Sequence, residues 1–264
     1  MMQTQRRSQR IAVAGATGRV GSHLVEILAQ RGHDVVRIAR SKGVDVVSGE
    51  GLDEALVGTQ TIIDTASGPS PDQREATAFF TASARNLQRA GAAAGAKRIV
   101  VVSIIGIDKF QGGYNAAKVA QEHALLEGPL PVRIVRAAQF HEFVEPLVGW
   151  TIQDGVAYVP EMRTQLVAAR VVAETLADAA EEPEIENGRI TEVAGPREQR
   201  LAHAAAALFA SRGDQLEIRE IRGGPLAQPG DSDAAAYADG AALPNPGAKL
   251  AGPSFEEWLA ATKV

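Results

Sequence analysis

The chain contains no cysteine, only three methionines and only five per cent aromatic residues in its 264 positions. Without a thiol, thiolate catalysis, cysteine-ligated zinc, iron–sulfur clusters and disulfide scaffolds are all excluded. An excess of positive charge is missing too: 27 basic and 32 acidic residues leave a formal charge of −5. No net basic field therefore exists to hold nucleic acid or an anionic membrane surface without specificity. No apolar run approaches the roughly 18 residues of a membrane span. Arg6, Arg7 and Arg10 precede apolar residues 11–14 and Ala16, but that stretch is too short for a secretory core and runs into glycines. Residues 1–9 read as a loose polar tail, and a soluble, cytoplasmic protein is expected. Arg supplies 21 of the 27 basic residues, and Ala and Gly are abundant, which is the codon habit of a GC-rich bacterial genome.

Apolar residues make up 45% of the chain. At this length a folded chain buries roughly 70–75% of the surface it exposes when unfolded, so no disulfide or metal staple is needed. The chemistry must then come from oxygen and nitrogen side chains or from a bound cofactor.

Short apolar runs alternate with helical spacing over the first half. Strands are predicted at 10–14, 34–39, 44–47, 61–65, 98–103 and 132–136. Helices are predicted from Val20 to Gly32, over 52–56, over 74–94 with Phe79, Phe80, Leu87 and Ala90 buried, and over 115–126. This alternation implies βαβ units and a parallel, doubly wound sheet, the Rossmann fold. After residue 137 the rhythm loosens. Helices are expected at 140–150, 169–180, 200–211 and 254–261, and strands at 155–159, 164–167, 190–193 and 215–221. Residues 223–247 read mostly as loop. Ser254 with Glu257 three residues on forms a capping box for the last helix. The segment reads as too broken for an independent core, and so as a smaller α/β lobe built onto the first domain. The domains expected are 1–9, 10–140 and 141–264, the last binding substrate and sharing strands with the first sheet.

Gly15, Thr17, Gly18, Arg19, Val20 and Gly21 form a G-x-x-G-x-x-G turn between a predicted strand and a predicted helix. Residues without Cβ let the backbone approach a pyrophosphate, and the helix N-terminus offers free N–H groups and partial positive charge. An NAD site usually carries an acid at the end of the second strand, to bind the ribose 2′-hydroxyl. Here Arg37-Ile38-Ala39-Arg40-Ser41-Lys42 has none. Arg40, assisted by Ser41 and Lys42, instead suits the 2′-phosphate of NADP, and Arg19 reaches toward the same group. Arg37 is a solvated strand-end charge. The cofactor expected is NADP(H).

Residues 13–21, the Arg closing the second strand, and Val101–Asp108 together resemble the atypical short-chain dehydrogenase/reductase family. Within it the chain is most similar to the NmrA-like, NAD(P)H-binding group, and residues 133–143 and 255–259 are similar as well. The resemblance implies that Glu50, after Gly49, contacts the adenine. It also implies that Thr65, Ala66 and Ser67 line the adenine ribose and pyrophosphate.

Tyr114 and Lys118 stand at i and i+4, on one helix face. Beside a nicotinamide ribose, Lys118 would bind the ribose and lower the Tyr114 pKa, so that the phenol exchanges the substrate proton during hydride transfer. Ser103, ending the fifth strand, would bind the substrate oxygen. The trio matches the Ser–Tyr–Lys set of the short-chain dehydrogenases residue by residue. Either the three are catalytic or they only hold the cofactor. The histidines are scattered, and no metal site follows. Gln139, Phe140, His141 and Phe143, after the sixth strand, either wall a substrate pocket or pack at the lobe junction. Trp150, Tyr158 and Met162 belong to pocket or core.

Two functions fit. The first is an NADPH-dependent oxidoreductase transferring hydride to a carbonyl, quinone or enone of a small apolar molecule. The second is a non-catalytic NADP-binding redox sensor acting through a protein partner. A small-molecule substrate is expected, and neither nucleic acid nor membrane.

Overall fold

The structure, a computed structural model, describes residues 8–183, 187–222 and 232–262. The tail expected over 1–9 lies outside the described residues up to position 7, as do 223–231 of the expected loop. By its contacts the chain divides into two units. One comprises Met1–Ser103, Ala117–Val135 and Val172–Thr191; the other comprises Ile104–Ala116, Arg136–Val171 and Glu192–Val264.

In the first unit β1 (Arg10–Ala14) is buried at every position after its first, and β3 (Thr61–Asp64) is buried throughout. Continuous apolar runs of this kind form strands covered on both faces. β1 pairs in parallel with β2 (Asp34–Ile38) on one side and with β3 on the other. Beyond β3 the sheet continues through β4 (Arg98–Ile104), β5 (Val132–Ala137), β9 (Arg189–Ala194) and β12 (Lys249–Leu250). The strand order is therefore β12-β9-β5-β4-β3-β1-β2. This mostly parallel sheet of seven strands, wound with helices, is the Rossmann-like architecture that the alternation implies. The order reverses at β1 and β3, which makes the crevice above their C-terminal ends the topological switch point. β4, β5 and β9 run on into the second unit, where β12 pairs with Val193 and Ala194.

Four helices that pack in the first unit are α1 (Arg19–Gln30), α2 (Leu52–Ala55), α3 (Gln73–Ala93) and most of α4 (Gly113–Leu126). Ala12, Ala14, Ile62, Ile99 and Val101 from the strands meet Leu52, Leu56, Ala84 and Leu87 in one core. Phe80 and Leu87 are fully buried, as the helical spacing predicts, whereas Phe79 is half-buried. One buried polar side chain has a clear task. Gln88 donates to the Leu125 and Leu130 carbonyls at 2.6 and 3.1 Å, and accepts from Leu130 N at 2.8 Å. It thereby satisfies the buried backbone of the turn between α4 and β5.

The strand expected at 44–47 does not form. The Asp45 carboxylate accepts from the Val47 and Ser48 amides, at 2.7 and 3.4 Å, and the backbone turns. Asn86 of α3 then donates to the Val46 and Val47 carbonyls at 3.0 and 2.7 Å. A side chain that offers the backbone local partners in this way competes with a ladder, and here it prevails.

In the second unit β7 (Val156–Pro160) pairs in parallel with β11 (Glu217–Ile221) and antiparallel with β6 (Ile152–Gln153). The hairpin turns on Asp154 and Gly155, at φ +49° and +79°. β8 (Arg163–Thr164) and β10 (Gln199–Arg200) make a second small sheet. The strand expected over 164–167 thus shrinks to Arg163–Thr164 and a single bridge from Val167 to Phe140. The remaining helices are α5 (Val144–Gly149), α6 (Ala169–Glu181), α7 (Leu201–Ser211), α8 (Ser232–Ala238) and α9 (Phe255–Ala261). Most of α6 packs in the first unit. α8 falls in the stretch expected as loop, because three consecutive alanines favour a helix. The expected capping box is present on α9. This unit also has a hydrophobic core, built from Val148, Val159, Leu166, Leu201, Ala205, Leu208 and Phe255 among others. The expectation that it lacks one is corrected: alanines supply much of the interior, so the apolar runs look short.

Among the described residues no helix is long and apolar enough to cross a membrane. Replacing Gln88 with Ala strands the Leu130 amide and carbonyl inside the core. The variant should lose at least about 2 kcal/mol of stability, read as a lowered urea midpoint at unchanged m-value.

Candidate active site

The turn after β1 is held by close backbone approach. Gly15 N donates to the Ile38 carbonyl at 3.1 Å, and Gly18 N to the Gly15 carbonyl at 2.9 Å. Gly15 has φ +76°, and a Cβ there would stand 2.8 Å from the backbone of Thr65 and Ala66. At Gly21 a Cβ would stand 2.1 Å from the Gly15 carbonyl oxygen and 2.9 Å from Thr65 Oγ1. Thr65 Oγ1 in turn donates to the Ala14 carbonyl at 2.7 Å. The structure therefore brings Gly15, Gly21, Thr65 and Ala66 together at the switch point, with Thr17, Gly18, Arg19 and Ser67 exposed and Val20 buried. α1 begins at the Gly18 N-cap with no capping side chain and no acid in its first turn. Its N-terminal N–H groups and partial positive charge are left for an anion. The cradle fits the pyrophosphate of a dinucleotide.

β2 ends at Ile38, and Arg40, Ser41 and Lys42 make a short 3-10 turn with all three side chains exposed. Among the described residues the Arg40 guanidinium makes no hydrogen bond or ion pair, and no carboxylate takes its place at the strand end. Glu50 is exposed after Gly49, beyond the Asp45 turn.

Ser103, near the end of β4, is 3% exposed, and its hydroxyl has no partner among the described residues. A buried hydroxyl without a partner is the kind of group that a ligand or an ordered water completes. The neighbouring Val102 carbonyl receives the Lys118 ammonium at 2.8 Å. Lys118 also donates to Gln121 Oε1 and stands 4.6 Å from the centre of the Phe80 ring. Burial pulls its pKa down to about 8, against the opposing pull of Asp64 and Glu122. Gln121 Nε2 donates to Asp64 Oδ2 at 2.8 Å, and Asp64 Oδ1 accepts from Ala66 N at 3.0 Å. Asp64 is fully buried at the end of β3, and burial raises its pKa. Asp64 and Gln121 were not among the expected site residues. Two signals pointed to them: an acid closing an otherwise apolar strand, and an amide at i+3 from Lys118 on the same helix.

Tyr114 stands one turn before Lys118 on α4 and is half-buried. Burial raises its pKa to about 12. The expected lowering by Lys118 is not found: burial is the cause of the shift, and it runs upward. The first turn of α4 is anchored within the second unit. Asp233 accepts from Gln111 N and Gly112 N at 2.8 and 3.0 Å, and Asn115 donates to the Tyr237 hydroxyl at 2.6 Å.

Gln139, Phe140, His141 and Phe143 follow β5 in the second unit. Gln139 accepts from Thr164 Oγ1 at 2.7 Å, and Phe143 packs edge-on against Trp150, which is itself exposed. His141 is 2% exposed among Phe255 and Trp258, and its Nε2 lies 3.2 Å from the Pro253 carbonyl. That oxygen can only accept, so the proton sits on Nε2 and Nδ1 is a bare acceptor. Burial lowers the imidazole pKa, which keeps the ring neutral. Met162 is buried in the core and Tyr158 is half-buried.

A parallel sheet with a glycine turn at its switch point, leading into a helix without a capping side chain, defines a dinucleotide-binding α/β protein. The chain belongs to the NAD(P)H-binding family, which matches residues 15–183. The resemblance noted in the sequence is thereby borne out. A curated 4-hydroxy-tetrahydrodipicolinate reductase from Natronomonas pharaonis is 29% identical over 157 residues. That match covers 59% of this chain and 54% of the relative, so the chain spans about half the length of the reductase. Two solved structures share the fold at low identity. The Bordetella bronchiseptica enzyme WbmG in complex with NAD is 15% identical with a TM-score of 0.69, the match covering 98% of this chain and 94% of that one. An NADPH-dependent quinone oxidoreductase from Escherichia coli complexed with NADPH is 19% identical with a TM-score of 0.69, covering 96% and 99%.

Gly21→Ala pushes a methyl group into the Gly15 carbonyl. It should cost about 1–3 kcal/mol or more, measured by urea denaturation in the absence of nucleotide.

Proposed function

We propose that the protein is an NADPH-dependent oxidoreductase that reduces a carbonyl, quinone or enone of a small, largely apolar molecule. The observation that carries this reading is the pairing at the end of β4: an unpartnered buried Ser103 hydroxyl beside the carbonyl that fixes the Lys118 ammonium. An orphaned buried hydroxyl costs stability, and a ligand oxygen at Ser103 would satisfy it. The name of the curated relative, a reductase, and the NADPH bound to a structural neighbour support the same class.

In this reading Gly15, Thr17, Gly18 and the start of α1 bind the pyrophosphate. Arg40 binds the 2′-phosphate, with Ser41, Lys42 and Arg19 adding charge. Glu50 reaches the adenine, and Thr65, Ala66 and Ser67 line the adenosine half. A bound reduced nicotinamide supplies the hydride. Ser103 donates to the substrate oxygen, and Lys118 offers a remaining N–H to the nicotinamide ribose. Tyr114, with its pKa near 12, stays protonated throughout the neutral range, so it serves as proton donor rather than base. Gln139, Phe140, His141 and Phe143 contribute to substrate selection, with neutral His141 an acceptor for a substrate donor.

Two measurements test this. NADPH oxidation followed at 340 nm across a panel of carbonyls and quinones should reveal turnover, and Tyr114→Phe should lower kcat by about 10²–10⁴-fold. Tight nucleotide binding with no turnover on any member of the panel would favour the sensor instead. By titration, NADP(H) should bind more tightly than NAD(H), and Arg40→Ala should remove about 10–100-fold of NADP(H) affinity while sparing NAD(H). Equal affinities in the unmutated protein would overturn the preference.

A further inference from the structure

We infer that Asp64 is a positioning residue for Lys118, acting through the Gln121 side chain as the buried counter-charge that keeps the ammonium protonated and aimed. The three groups form one line of hydrogen bonds from α4 to the end of β3. Lys118 Nζ donates to Gln121 Oε1, and Gln121 Nε2 donates to Asp64 Oδ2 at 2.8 Å. All three side chains are at least nine-tenths buried. The amide is oriented by its neighbours: its oxygen faces a cation and its nitrogen faces an anion, so its dipole lies along the field between them. An amide neither gains nor loses a proton near neutral pH, so the line transmits charge and position rather than a proton.

The orientation has two consequences for Lys118. An ammonium has three N–H groups. Two are spent on Val102 O and Gln121 Oε1, and the Phe80 ring covers one side. The third direction is thereby fixed. Burial disfavours the ammonium, and even with Asp64 and Glu122 opposing it the Lys118 pKa falls to about 8. The charged groups facing it are Asp64 from β3 and Glu122 from α4, and both act to hold the proton on. Asp64 carries a second duty. Its other oxygen accepts from Ala66 N at 3.0 Å, in the segment that approaches Gly15. One carboxylate therefore sets both the backbone beside the glycine turn and the charge of the lysine. That Lys118 spends its third N–H on a dinucleotide ribose rests on the oxidoreductase reading; the coupling of Asp64 to Lys118 does not.

The experiment is a titration of the lysine side chains by NMR in full-length protein carrying 13C,15N-lysine. The chain has six lysines, and Lys118→Met assigns the resonance. In the unmutated protein Lys118 should titrate near 8. Asp64→Asn should lower the midpoint by about one pH unit, since it removes an opposite charge. Gln121→Met should lower it as well, and Gln121→Glu should raise it. If Asp64→Asn does not fold, the two Gln121 variants carry the test. A midpoint unmoved in folded Gln121→Met and Gln121→Glu overturns the inference.

A second arm measures NADP(H) affinity against pH. If Lys118 binds the ribose, affinity should weaken as pH rises through the NMR midpoint, and that break should move with it in Gln121→Glu. A shifting NMR midpoint with pH-independent affinity would reject the ribose contact while leaving the Asp64 coupling intact.

Discussion

The turn after β1 can form only because two backbone segments approach within a distance that admits no side chain. Gly15 abuts Thr65 and Ala66, and Gly21 abuts the Gly15 carbonyl. That approach brings the ends of β1 and β3 and the start of α1 to one place. It requires glycine for steric reasons at Gly21 and for both steric and conformational reasons at Gly15, whose φ is +76°. The first helix then starts without a capping side chain and with no acid in its first turn. The dinucleotide cradle is the direct result of this packing, and it is the part of the molecule that the family match begins on, at residue 15.

Charge inside the protein follows a different rule from charge on its surface. The surface ion pairs, such as Arg163 with Glu198 or Arg219 with Glu217, are exposed and contribute little. Asp64 and Lys118 are enclosed, where burial disfavours the ionised form of each and the charge of each favours that of the other. Gln121 lets the two interact without contact. A direct pair would tie the ammonium to the carboxylate, whereas the amide bridge leaves one of its N–H groups uncommitted.

The local signals in the sequence carried much of the first unit and the last helix of the second. The glycine turn, the Arg at the end of β2, the alternating strands and the capping box at Ser254 and Glu257 depend on neighbours a few residues apart, and they stand where the spacing puts them. What escaped depends on distant partners or on rules weaker than periodicity. The β-branched residues Val44, Val46 and Val47 have strand propensity, yet Asp45 and the remote Asn86 turn them out of the sheet. Asp154-Gly155 is a hairpin signal that apolar periodicity overlooks. The Asp64–Gln121–Lys118 line joins residues up to 57 positions apart, so only its i+3 step was visible in the chain. Lys118 was expected to lower the Tyr114 pKa, and burial, which the spacing does not show, raises it instead.

The failure of residues 44–47 to form a strand leaves β2 as the border of the sheet. A border strand shows unpaired amides and carbonyls, and these invite a strand from another molecule. Here the border carries exposed Asp34 and Arg37, and only five residues are available for pairing. A short strand with charges of both signs makes a poor template for extension. The turn that replaced the missing strand therefore also decides how the molecule meets its own copies: growth of the sheet by strand addition along β2 is disfavoured.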